Sequence, residues 1–194
     1  MLDGLVSRIN SNIYLIGPMG SGKTTIGQRV AAILDLEFFD SDREMEAQTG
    51  ASVNLIFDIE GENGFRARET KLLQTLTARQ NILLATGGGV ILKAENRELL
   101  RHSGLVIYLQ TSVNQQQRRL RRDRSRPLLQ TGDRVKKLTE LAATRNPLYE
   151  DLADIVFPSQ NRGPGVAAKL LAGTIQSYLT QENTSVTKTE YANK

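Results

Sequence analysis

The chain of 194 residues has no cysteine, so it holds neither a disulfide framework nor a cysteine metal site. This suits a reducing compartment. Histidine occurs once, as His102, near the end of a predicted helix, where it caps rather than reacts. Apolar runs such as LVIYL at 105–109 are far too short to cross a bilayer. The opening MLDGLVSRIN has no apolar core of signal-peptide length, so the expected location is the cytoplasm, without membrane attachment. No internal repeat is present.

What remains is ordinary globular composition, 39% hydrophobic and 24% charged, with a net charge of +4. The positive excess suits either nucleic acid or phosphorylated small molecules. Strands are expected at 12–16, 36–40, 82–86, 105–109 and 155–157, all nearly continuous apolar runs of the kind buried on both faces of a parallel sheet. Helical periodicity marks 23–34, 62–79, 94–102, 113–122, 133–145 and 166–179. The alternation predicts an open α/β sheet with helices on both sides. Between the second and third strands lie about forty residues without a strand signal, more than one crossover needs and suited to a small substrate-binding subdomain at 42–80. The polar, aperiodic tail at 181–194 is expected to be disordered.

Gly17-Pro-Met-Gly-Ser-Gly-Lys-Thr24 satisfies G-x-x-x-x-G-K-[ST], with a strand before it and a helix after it. The glycines let the backbone N–H groups curl around phosphate oxygens, and the helix N-terminus adds its dipole. Lys23 would reach the β- and γ-phosphates, and the Thr24 hydroxyl would ligate Mg²⁺. The guanine-reading tetrapeptide N-K-x-D is missing, which argues against GTP. Only the second strand ends in acid, at Asp40 and Asp42. If that strand lies beside the phosphate-loop strand, Asp40 supports the magnesium shell through water. Asp42 either faces an acceptor or caps the helix that begins near Arg43.

Gly87-Gly88-Gly89 stands at the carboxyl end of the third strand, where α/β folds contact ligands through backbone. Arg66 and Glu69 share a helix face beside Phe65, which is either a carboxylate clamp over an apolar floor or an exposed ion pair. The stretch 118–126 holds six arginines and no aromatic, so a single-strand nucleic-acid surface is disfavoured against a mobile lid at 118–132. Within it Arg126 is fixed by the following Pro127. Arg145-Asn-Pro-Leu-Tyr149 is expected to end a helix at its proline, and Arg162-Gly-Pro-Gly165 is a turn that reaches the adenine or is only a turn.

GPMGSGKTTIG, FFDSD, FRARE, TGGG, RPLL and RNPLY occur in this order, and over about residues 12–178 the set resembles the bacterial shikimate kinases. The resemblance implies a single P-loop α/β/α domain with a five-stranded parallel sheet of order 2-3-1-4-5, a helical substrate insertion and a lid. It implies transfer of the γ-phosphate of ATP to the 3-hydroxyl of shikimate, on the route to chorismate and the aromatic amino acids, by a monomer with one Mg²⁺. ATP would be held by Gly20, Ser21, Gly22, Lys23, Thr24 and Thr25. Arg119 and Arg162 would lie near the adenine, with Arg126 on the transferred phosphate. The acceptor would meet Asp42, the carboxylate clamp Arg66 and Arg145, the backbone of Gly87, Gly88 and Gly89, and the shaping residues Phe57, Phe65 and Glu69. Asp42, Lys23 and Arg126 would carry the chemistry. Gluconate is the alternative acceptor.

Overall fold

The computed structural model describes residues 12–121, 133–159 and 162–192. Strands β1 (Asn12–Ile16), β2 (Glu37–Asp40), β3 (Ile82–Ala85), β4 (Gly104–Gln110) and β5 (Ile155–Pro158) form one sheet of order β2-β3-β1-β4-β5, with every pair parallel. Helices α1 (Lys23–Leu34), α2 (Ser41–Thr49), α3 (Val53–Thr77), α4 (Ala94–Ser103), α5 (Val113–Leu120), α6 (Arg134–Leu152) and α7 (Pro164–Ala192) cover its faces.

The period-2 geometry of strands explains the unbroken apolar runs. Tyr14 and Ile16 of β1 join Ile82 and Leu84 of β3 and Val106 and Tyr108 of β4 in one core. That core is closed by Leu72 and Leu76 of α3, Leu100 of α4, and Tyr149 and Leu152 of α6. The intervening Ile13, Leu15, Leu83, Ile107 and Leu109 face the opposite core, closed by Val30 of α1 and Ala168 and Leu171 of α7. Both faces are therefore dry, and truncating Leu15 to alanine would cost about 2–5 kcal/mol. Among the described residues no helix is long and apolar enough to cross a membrane.

Two boundaries differ from the sequence expectation, and a helical segment precedes one expected helix. The helix expected from 62 does start there, after Gly61, whose backbone (φ 69°, ψ −177°) is not helical; the preceding segment of α3 begins at Val53, where the Ser52 hydroxyl caps it by accepting from the Leu55 N–H at 3.2 Å. Helix α6 does not stop at Pro147 but runs to Leu152. Proline forfeits one helical hydrogen bond there, and the buried Tyr149 and Leu152 beyond it outweigh that loss. The segment after 180, expected to be disordered, continues α7 to Ala192; no proline or glycine between Thr174 and Ala192 interrupts it.

Candidate active site

The carboxyl ends of β1, β2 and β3 open into a cleft of ≈ 560 Å³. Its floor at one end is the phosphate loop. Gly20 (φ 74°) and Gly22 (φ 99°) take left-handed backbone that side-chain-bearing residues rarely adopt, which is why the loop can curl. Gly20, Gly22, Lys23, Thr24 and Thr25 line the cleft. Ser21 does not. It is fully buried beneath the loop, and its N–H donates to the Pro18 carbonyl at 3.2 Å. Lys23 Nζ donates to the carbonyls of Gly17 (2.7 Å) and Pro18 (3.0 Å), so the ammonium rests over the loop.

Strand β2 is not the neighbour of β1, since β3 lies between them. Asp40 nevertheless reaches the end of the loop. Thr24 Oγ1 donates to Asp40 Oδ2 at 2.6 Å. The other oxygen of Asp40 accepts from the N–H groups of Asp42 (3.1 Å) and Arg43 (3.3 Å), so Asp40 is the N-cap of α2. This resolves the alternatives for Asp42. It sits in the first helical turn, not at the cap, and it lines the cleft. The two aspartates do not share an extended strand, yet both face the same space.

The far wall comes from α3 and α6. Arg66, Glu69 and Arg145 are buried charges, 8%, 3% and 7% exposed. Arg66 Nη1 donates to Glu69 Oε2 at 2.7 Å and Nη2 to Glu62 Oε1 at 3.2 Å. The guanidinium carbon lies 5.1 Å from the Phe65 ring centre, and Phe65 stacks on Phe57 at 4.3 Å. The Arg66–Glu69 pair is thus not an exposed surface bridge. Burial pushes the Glu69 carboxyl above its ordinary range, with Arg66 opposing and the charge of Asp42 adding to the rise. A Cβ on Gly87 would lie 2.9 Å from Glu69 Oε1 and 3.0 Å from Asp42 Oδ1, and one on Gly89 would run into the Arg66 guanidinium. Only glycine fits either position without displacing these charges. Arg145 Nη1 donates to the Gly88 carbonyl at 3.3 Å. One cleft therefore joins the glycine-rich loop, a pair of hard oxygen donors, the Asp42 carboxylate and two buried guanidinium groups.

The family model for shikimate kinase matches residues 19–176. The shikimate kinase of Mannheimia succiniciproducens is 52% identical over 165 residues, 84% of this chain and 92% of the relative. The chain belongs to the shikimate kinase family. A solved shikimate kinase from Acinetobacter baumannii, in complex with shikimate, superposes with a TM-score of 0.83 at 47% identity, covering 90% of this chain and 96% of that one. A gluconokinase from Sinorhizobium meliloti superposes with a TM-score of 0.59 at 16% identity over 90% of this chain and 98% of its own, a likeness of fold alone.

Arg119 and Arg162, expected near the adenine in this shikimate kinase family member, have these surroundings. Arg119 lines the cleft, but its guanidinium is braced against protein: Nη1 donates to the carbonyls of Gly20 (2.8 Å) and Ser21 (3.1 Å), and Nη2 to that of Ser159 (2.8 Å). Arg162 is exposed and does not line the cleft. Arg126, with most of the expected lid at 118–132, lies outside the described residues. Sequence reasoning assigned nothing to Ser41, whose hydroxyl accepts from the Gly87 N–H at 2.8 Å, because its partner is 46 residues away.

Proposed function

We propose that this chain moves the γ-phosphoryl group of ATP to the 3-hydroxyl of shikimate, giving shikimate 3-phosphate and ADP on the way to chorismate. The observation that carries the reading is the placing of Asp42 in one cleft between the phosphate loop and the buried Arg66 and Arg145. A small hydroxylated carboxylic acid suits this arrangement. Its carboxylate meets the two guanidinium groups, and its hydroxyls meet Asp42. Phe57 and Phe65 supply an apolar flank, residues 42–80 act as the acceptor subdomain, and Glu69 holds Arg66 in place.

In the reaction, the oxygen–phosphorus bond to the acceptor forms as the bond to the β-phosphate oxygen breaks, and the hydroxyl proton passes to Asp42. Asp42 first orients that hydroxyl, since a loose phosphoryl transition state needs little early deprotonation. Lys23 leaves the loop carbonyls for the β- and γ-phosphate oxygens and stabilises the developing charge. Thr24 Oγ1 and Asp40, 2.6 Å apart and both oxygen donors, fit Mg²⁺ bound directly by the threonine and through water by the aspartate. When bound, that ion neutralises charge on the β- and γ-phosphates. Arg126 meets the transferred phosphate, with Arg119 and Arg162 toward the adenine. Every residue named comes from one chain, so a monomer suffices, and the proposed place of action is the cytoplasm.

The test is ADP release, coupled to a spectrophotometric readout, with purified protein, Mg²⁺, ATP and either shikimate or gluconate. Shikimate-dependent ADP formation is expected. Its absence in folded protein, or preference for gluconate, overturns the reading.

A further inference from the structure

Tyr149 lies outside the cleft lining, fully buried on α6, one helical turn beyond Arg145. Its ring is fixed without help from its hydroxyl, stacked on Tyr108 at 5.0 Å and 22°. A phenylalanine would fill the same space. The hydroxyl instead donates to the Gly88 carbonyl, which also accepts the longer 3.3 Å bond from Arg145, and it meets the Arg145 guanidinium as well. Burial pushes the phenol up, with Arg145 opposing, so it stays a donor throughout the neutral range.

The Gly88–Gly89 peptide is planar, so the carbonyl and the following N–H point in opposite directions. With no Cβ on either residue, this peptide can flip more freely than one between residues that carry side chains. The N–H groups of Gly88 and Gly89 take no partner among the described residues, and both glycines line the cleft beside Arg66. An acid that recruits the Arg145 guanidinium competes with its bond to the Gly88 carbonyl. The Tyr149 bond then holds the peptide alone.

We propose that Tyr149 is a positioning residue: its hydroxyl pins the Gly88 carbonyl so that the Gly89 N–H stays turned toward the bound acid while Arg145 engages the carboxylate. This rests on the acceptor site described under the proposed function. The flipped peptide would aim a carbonyl oxygen at an anion, so losing the pin weakens acceptor binding and leaves nucleotide binding untouched.

The test compares wild type, Tyr149→Phe and Tyr108→Phe, the last removing a hydroxyl whose 3.3 Å bond to Asn146 does not touch Gly88. For Tyr149→Phe the shikimate KM should rise about tenfold, while the ATP KM and the melting temperature without ligand stay near wild type. Tyr108→Phe should leave both KM values alone. An unchanged shikimate KM in Tyr149→Phe, or both KM values rising together, overturns the proposal. In ¹⁵N-glycine-labelled wild-type protein the Gly89 amide resonance should shift on adding shikimate. A stationary Gly89 resonance while other resonances shift overturns it even if Tyr149→Phe proves too unstable to purify. Wild-type protein that shows no response to shikimate at all refutes the proposed acceptor instead.

Discussion

Thr24 and Asp40 are joined by a 2.6 Å hydrogen bond across the mouth of the phosphate loop, although their strands are separated by β3. The same carboxylate caps α2 through its second oxygen. Asp40→Asn separates the two roles. Asparagine is as good a cap, so stability should hold, while the charge that would support the magnesium shell is gone. The metal concentration giving half-maximal rate should rise at least about tenfold with little change in melting temperature. An unchanged magnesium titration would remove Asp40 from the metal site.

Asp42 stands in the first turn of α2 with its backbone N–H committed to Asp40. Its side chain has no part in the cap, so Asp42→Asn should fold normally. Turnover should fall about 10²-fold or more, the ordinary contribution of a proton acceptor, with the ATP KM within about twofold of wild type. Steady-state kinetics at saturating shikimate decide this, and retained turnover would reduce Asp42 to a helix residue.

These acids show how much was legible in the sequence. The phosphate loop is contiguous, and strands buried on both faces announce themselves by unbroken apolar runs, so β1 and α1 fall where the pattern puts them. Arg66 and Glu69 are three residues apart, and their pairing follows from helix geometry. Long-range relations were hidden. Nothing local tells that Tyr149 bonds a glycine 61 residues earlier or that Arg119 braces the phosphate loop from 98 to 99 residues away. Pro147 misled because a local rule about one missing N–H was set against burial that only the fold supplies.

Gly89 has φ −105°, an ordinary backbone angle for any residue, so strain plays no part in the need for glycine there. The need is steric, since a Cβ would meet the Arg66 guanidinium, itself held by Glu69 and Glu62. Gly89→Ala should therefore displace Arg66, raise the shikimate KM by about tenfold or more, and cost about 1–3 kcal/mol of stability from overpacking. The ATP KM is the internal control. If the shikimate KM does not move, Arg66 is not the acceptor's clamp.

Glu69 makes a prediction about pH. Its carboxyl is raised mainly by burial, against the Arg66 charge that lowers it, from an ordinary value of 4.5. As pH climbs past that value the unfolded chain releases this proton while the folded chain keeps it. The folded state then binds more protons, so this group's contribution to stability falls as pH rises and levels off above the raised value. Glutamine fills the same space and does not titrate. The melting temperature of Glu69→Gln relative to wild type should improve between pH 4.5 and pH 7, in a pair of thermal scans at matched ionic strength. A difference that is flat, or that moves the other way, would mean that the Arg66 pairing outweighs burial. The same variant loosens Arg66, which keeps only its half-exposed Glu62 partner, so the shikimate KM should rise severalfold even where the fold is more stable.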